Sequence, residues 1–220
     1  VKTGGAKGIT AVAAAPWGSA SVLPISYGYI LMLGFEGLQM ATKVAILNAN
    51  YLMAKLKDHY KILYTGETGR VGHEMILDCH HFKMDYGVDS SDVGRRMMDY
   101  GYHAPTVSFP VHESLMVEPT ESESKQELDR FVDMMISIKA ELEDIKNGVA
   151  DKTDNVVINA PHTAAEASAD EWKHAYTRQK AAYPLPWIYQ NKFWPYVSKI
   201  DAGYGDRNLV CTCAPIEEYM

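Results

Sequence analysis

The sequence predicts an α+β fold, an antiparallel sheet covered by helices, and three observations predict it. Two pairs of short apolar runs, Lys61 to Tyr64 with Val71 to Cys79 and Thr106 to Phe109 with Leu115 to Val117, are each joined by turn-forming residues. Each pair is followed by a stretch with helical spacing. A long helical stretch leads into the first pair. Strand–strand–helix, taken twice, suits hairpins packed under helices and not the strand–helix alternation of a parallel sheet.

At the amino end, Ile9 to Ala15 is short and apolar, as a buried strand would be, and Pro16 to Ser21 turns the chain. Helical spacing begins around Pro24. From Glu36 to Lys57, Met40, Val44, Leu47, Tyr51 and Ala54 recur at three- and four-residue steps, the mark of one helix face. Leu38, Ala41, Ala45 and Leu52 widen the stripe, so burial on more than one side is expected. Thr65 to Arg70 is a turn by composition. A short helix from Ser91 to Tyr100 should carry Val93 and Met97 inward. Thr120 and Glu123 have capping-box spacing ahead of a stripe of Leu128, Phe131, Met135, Ile138, Leu142 and Ile145, which Asn147-Gly148 stops. Beyond Asp151 the chain is rich in proline and aromatic residues. This division gives a buried connecting segment over residues 1–34, an α+β domain over 35–150 and an irregular extension over 151–220.

With 220 residues, 47% of them hydrophobic and 22% charged, the chain has the composition of a globular protein with a real core. A net charge of −7 without a basic face argues against nucleic acid and against an anionic membrane surface. No charged residue occurs from Gly8 to Phe35, but Pro16, Gly18, Pro24 and Gly28 interrupt that stretch. It therefore reads as an element buried against other protein, not as a membrane span, and the chain as a piece of something longer. Three cysteines make no disulfide framework, which fits a reducing interior, the bacterial cytoplasm or a mitochondrial matrix.

Chemistry-bearing residues concentrate between His73 and His81. On a strand, His73, Cys79 and His81 would share one face, a conceivable zinc trio, but no second ligand cluster at finger spacing exists, and an ordinary strand end is the expectation. Cys211 and Cys213 lack C-x-x-C spacing and read either as two structural thiols or as an oxidation-sensitive pair. The glycines near the start and at Gly66, Gly69 and Gly72 lack the context of a phosphate loop.

Several stretches carry a family resemblance: Ala14-Ala15-Pro16-Trp17-Gly18-Ser19-Ala20-Ser21, Ala45-Ile46-Leu47-Asn48-Ala49-Asn50-Tyr51, Asp99-Tyr100-Gly101-Tyr102-His103-Ala104-Pro105-Thr106, Met116-Val117-Glu118-Pro119-Thr120-Glu121-Ser122-Glu123 and Asn191-Lys192-Phe193-Trp194-Pro195. They are long, rich in uncommon residues and spread end to end. The chain resembles the C-terminal part of glycine decarboxylase, the pyridoxal-phosphate protein of the glycine cleavage system. The resemblance implies the small C-terminal domain of a fold-type I pyridoxal-phosphate enzyme. It also implies an activity: decarboxylation of glycine and transfer of the aminomethyl group to the lipoyl arm of the H protein.

The same resemblance implies partners and sites. The partners are the rest of the glycine decarboxylase chain, the lipoylated H protein and a second subunit, in a homodimer or heterotetramer. Trp17, Gly18, Ser19, Ala20 and Ser21 would lie near the cofactor, Ser19 or Ser21 bounding its phosphate, unless the turn serves packing alone. His103 and Thr106 would line the channel for glycine or the lipoyl arm, or else be buried structural groups. Arg178 would meet an acidic carrier protein or form a plain surface ion pair. The family's cofactor lysine precedes the Ala-Pro-Trp-Gly-Ser-type motif, and Lys2 and Lys7 do not match its context. The chain is therefore expected to be inactive alone and to bind no cofactor or metal. A non-enzymatic docking or dimerisation module is the alternative.

Overall fold

The structure, a computed structural model, describes residues 5–8, 18–210 and 214–220. The strand expected over residues 9–15, together with Lys2, Trp17, Cys211 and Cys213, lies outside them. The first long element is α1, Leu23–Leu56, which opens with Pro24 in its first turn, where a missing N–H costs nothing. Gly34, at φ 62° and ψ −171°, leaves helical geometry and kinks it.

Only the second half of α1 is anchored. Asn48, Ala49, Leu52 and Leu56 are buried, a face set by one-, three- and four-residue steps. The stripe read from the sequence is misplaced: Met40 and Leu47 on it are exposed, and Leu52, on its margin, is core. Burial on more than one side is also not found, because before Asn48 no residue of the helix is buried. Met32 and Phe35 stand 87% and 80% exposed. By length and apolarity, residues Ala20–Leu56 form a helix able to cross a membrane, but Leu52 and Leu56 in its last turns belong to the domain core.

The sheet has three antiparallel strands in the order β1 (Met75–Asp78), β3 (Ser114–Val117), β2 (Thr106–Val107). Met75 lies opposite Val117, and Thr106 opposite Met116. The expected strand at Lys61 to Tyr64 shrinks to a single bridge, Ile62 to Leu77, flanked by the Leu63 N–H donating to the Ile76 carbonyl. All four residues of β1 are buried, so no alternation could appear there.

Between the hairpins run α2 (Phe82–Tyr86), unanticipated and closed by Gly87 at φ 77°, and α3 (Ser90–Asp99). Asp89 and Asp92 form a capping box at the start of α3, and Val93 and Met97 are fully buried as expected. The helix α4 (Lys125–Lys146) is capped by Ser124, whose side chain accepts from the Glu127 N–H. The expected Thr120–Glu123 box is therefore wrong by one turn: Thr120 sits at φ 56° and its hydroxyl accepts from the Ser122 N–H. Leu128, Met135, Ile138, Leu142 and Ile145 of α4 meet Leu56, Leu77, Leu115 and Met97 in one core. Stripping such a residue to alanine costs about 2–5 kcal/mol.

After residue 150 the chain carries only short helices, α5 (Ala164–Ala167), α6 (Arg178–Ala182) and α7 (Ala202–Arg207), with 3₁₀ turns. It nonetheless buries Val156, Val157, Ala160, Ala181 and Ile188. Lysines tie it down further on: Lys192 Nζ donates to the Asp99 carbonyl at 2.6 Å, and Lys199 Nζ lies 2.7 Å from Asp92.

Candidate functional site

Pairing of β2 with β3 sets Thr106 beside Met116 and so joins two motif stretches from either side of one hairpin. Together they wall a cleft of about 410 Å³. His103, Ala104, Pro105 and Thr106 come from the first stretch; Met116, Val117, Glu118, Pro119 and Glu123 come from the second. Leu52 of α1 and Leu128 and Phe131 of α4 give it an apolar floor. An apolar cleft with a few converging polar groups is the usual form of a small-molecule site.

The two channel residues expected from the sequence thus share one cleft. Both are exposed in this chain. The His103 Nδ1 lies 2.9 Å from the Ala104 carbonyl, which can only accept, so that nitrogen is the donor of the pair. Carboxylates of the acidic stretch from Glu118 to Glu127, which the sequence reads as a helix cap and not as a catalytic pair, complete the wall. Glu127 accepts from Arg130 Nη1 at 2.6 Å and from the Tyr102 hydroxyl at 3.3 Å, while Glu118 lies 3.7 Å from His73 Nε2. Burial first, then the Glu127 charge, raises the Tyr102 phenol above its ordinary range, so it stays a donor. The signal was present: Tyr102, Glu118 and Glu123 all lie inside the resembling stretches.

Behind this wall lies a buried ionic network. Arg96 reaches Glu141 through Nε at 2.9 Å and Nη2 at 2.6 Å, Asp99 through Nη1 at 2.9 Å, and the Ala181 carbonyl at 2.8 Å. Asp99 also accepts from the His162 backbone N–H at 2.7 Å and meets His162 Nδ1 at 2.8 Å, while His162 Nε2 faces the Tyr176 hydroxyl at 2.7 Å. Burial alone would raise the Asp99 carboxyl, but the His162 hydrogen bond and the Arg96 charge hold it below its usual range. The network anchors the C-terminal segment to α3 and α4 and holds no free nucleophile.

The other expected residues stand elsewhere. Gly18, Ser19, Ala20 and Ser21 form an exposed turn with Gly18 at φ 83°, and Ser19 caps nothing with its side chain. Among the described residues no side chain hydrogen-bonds to either serine. A pyridoxal-phosphate cradle needs fixed donors and a cation around the phosphate, so this turn alone does not make one. Arg178 lines a second cleft. It forms no ion pair among the described residues, contrary to the plainer expectation, because its guanidinium is spent on the Ala169 carbonyl at 2.6 Å and on the Trp172 face. Among the described residues no cluster of His, Cys, Asp and Glu has the form of a metal site. His73 turns toward Glu118, His81 packs edge-on to Phe82, and burial pushes the Cys79 thiol up to about 12.

Comparison with known proteins fits this geometry. A family model described as glycine dehydrogenase, C-terminal domain, matches residues 41–162, which contain the sheet, α3, α4 and the whole cleft. Proteins named glycine dehydrogenase (decarboxylating) are similar over the entire chain. The one from Christiangramia forsetii is 58% identical over 219 residues, and the one from Flavobacterium johnsoniae 59% over 220. That of Bdellovibrio bacteriovorus is 53% identical over 219 residues. In each case this chain spans 23% of the relative's length.

Proposed function

The chain belongs to the glycine dehydrogenase (decarboxylating) family, in the part that forms the C-terminal domain, and on that premise we propose that it completes an enzyme that decarboxylates glycine. Pyridoxal phosphate, bound in the whole enzyme, supplies an electron sink for loss of carbon dioxide. The aminomethyl group then passes to the lipoyl arm of an H protein. The cofactor lysine and most of the phosphate cradle belong to the part of the enzyme that this chain does not span. Ser19 and Ser21 add hydroxyls to its edge.

In this reading the chain contributes a wall. Thr106 offers a hydroxyl and His103 its second ring nitrogen at the mouth of the cleft. Leu52, Leu128 and Phe131 keep its floor dry. The exposed apolar face of α1 lies against the cofactor-bearing part, in a cytoplasmic homodimer or heterotetramer. The chain alone is inactive.

The observation that carries the proposal is the cleft itself, assembled within the family-matched residues from two stretches about ten residues apart across a hairpin and closed by both long helices. The test is co-expression of this chain with the remaining part of a family member, followed by assay of glycine-dependent bicarbonate exchange. Exchange is expected only with both parts present. Exchange by either part alone sinks the proposal.

The exposed face of α1 also favours a second reading, a docking or dimerisation module without a catalytic share. The same assay separates the two. If Thr106→Ala and His103→Ala leave exchange unchanged while assembly persists, the module reading wins.

A further inference from the structure

We infer that Trp187, on the C-terminal extension, is a positioning residue for the cleft, a role that rests on the cleft being the site of the proposed reaction. Trp187 touches no ligand. It fixes the two groups that hold the Glu127 carboxylate in the cleft wall. It lies outside residues 41–162, which the family model matches, and it does not line the cleft itself.

Glu127 is held at both oxygens. Arg130 Nη1 donates to Oε1 at 2.6 Å, and the Tyr102 hydroxyl lies 3.3 Å from Oε2 and 3.2 Å from the Glu127 carbonyl. Both donors rest on one indole. The Arg130 guanidinium stands 5.5 Å from the Trp187 ring centre, and the Tyr102 ring meets Trp187 at 89° with centres 6.3 Å apart. On its other contact Tyr102 packs against Phe131 of the cleft floor, at 5.7 Å. Tyr102 directly precedes His103 and lies four residues before Thr106, so its ring anchors the wall that carries both.

The extension delivers the indole on a fixed support. Trp187 belongs to the 3₁₀ turn Pro186–Gln190, whose Ile188 is buried in the core. Its Nε1–H is buried without an acceptor among the described residues, a loss that phenylalanine or leucine would avoid. Simple space-filling therefore does not favour tryptophan here. Its advantage is the face, the best of the aromatic side chains for a cation. Without it Arg130 and Tyr102 lose their common support, and the Glu127 carboxylate is free to turn into a cleft already lined by Glu118 and Glu123. A displaced wall weakens ligand binding and leaves the reacting groups unchanged.

The test uses the enzyme assembled by co-expression and separates KM for glycine from kcat in the bicarbonate-exchange assay. Trp187→Leu should raise KM about tenfold and leave kcat within about twofold of the parent. Trp187→Phe should raise KM about threefold, because a phenyl face holds a guanidinium less well than indole does. Tyr102→Phe acts on the same carboxylate, so adding it to Trp187→Leu should raise KM no further than the worse single change. Ile188→Val, in the core beside it, should lower the melting temperature and leave KM alone. Unchanged KM in both Trp187 variants while Thr106→Ala is impaired overturns the inference. Additive effects of Trp187→Leu and Tyr102→Phe, or an equal rise in Ile188→Val, overturn it too. If Thr106→Ala is silent as well, the cleft reading falls and the inference with it. Should the leucine variant fail to fold, the phenylalanine variant decides, and an unchanged KM there overturns the inference.

Discussion

Arg96 of α3 lays one edge of its guanidinium on the Glu141 carboxylate of α4, Nε to Oε2 at 2.9 Å and Nη2 to Oε1 at 2.6 Å, with the Arg96 side chain wholly buried. This pair joins α3 to α4, the helix that gives the cleft part of its floor, and through the Ala181 and Lys180 carbonyls it also holds the C-terminal segment. Removing the arginine leaves Glu141 with no cation in a buried core and Asp99 with His162 alone. Arg96→Met should therefore cost about 3–5 kcal/mol, more than an alanine substitution at most exposed sites. Urea denaturation measures it, and a loss below about 1 kcal/mol would mean that water reaches the network.

The His174 ring makes the fold pH-dependent. Its Nδ1 lies 2.8 Å from Asp154 and its Nε2 3.0 Å from Glu166, so both nitrogens must carry protons to satisfy both carboxylates. Asn159, Trp172 and Tyr176 complete its surroundings. Burial alone would lower its pKa, but the bonds to Asp154 and Glu166 outweigh it and raise the pKa above 6.5. A raised folded-state pKa gives stability that is full below the unfolded value and lost as pH rises through the folded one. Asp154 is lowered, so its share is present above about 3.9 and lost as pH falls below it. Thermal melts across pH should show the alkaline loss in the parent and not in His174→Gln. A parallel alkaline slope in both would refute it.

Replacing Ser124 by alanine should destabilise α4 by about 1 kcal/mol, because an orphan N–H at Glu127 loses its acceptor. Thr120→Ala should cost less, since its hydroxyl serves only the turn at Ser122. Urea midpoints of the two variants decide the order, and a larger loss at Thr120 would restore the cap read from the sequence.

That misplaced cap shows where sequence reasoning stopped. Thr120-x-x-Glu123 and Ser124-x-x-Glu127 carry the same spacing, and only the backbone separates them: Thr120 is left-handed at φ 56°, Ser124 extended at φ −72° and ψ 155°. The stripe on α4 was legible because one face meets one core, and Phe131 alone on it stays half-buried at the cleft. The stripe on α1 was not, because that helix is apolar nearly all round and periodicity cannot say which side is covered. The cleft was legible only through His103 and Thr106. Its carboxylates became visible once Thr106 paired with Met116, a register that no local pattern states.

In the assembled enzyme, Thr106→Ala should reduce glycine-dependent exchange by about tenfold or more if its hydroxyl positions the substrate. Thr106→Ser should restore most of it. Thr106 is exposed on the short edge strand β2, so the melting temperature should hardly move. Equal activity in the alanine and serine variants would assign Thr106 to the sheet alone.

The exposed face of α1 predicts self-association of the chain when it is prepared alone. Ile25, Leu31, Met32 and Phe35 stand between 63% and 87% exposed on one side or other of the Gly34 kink. Burying such residues gains roughly 1.5–3 kcal/mol each, enough for copies to pair at micromolar concentration. Sedimentation velocity should find species heavier than the 24.5 kDa monomer, and Met32→Lys with Phe35→Lys should return them to monomer. The double variant should melt as the parent does, because neither residue touches the core built on Leu52 and Leu56. A parent that sediments as monomer at every concentration would show that this face needs no cover, and the packing of α1 against the cofactor-bearing part would lose its driving force.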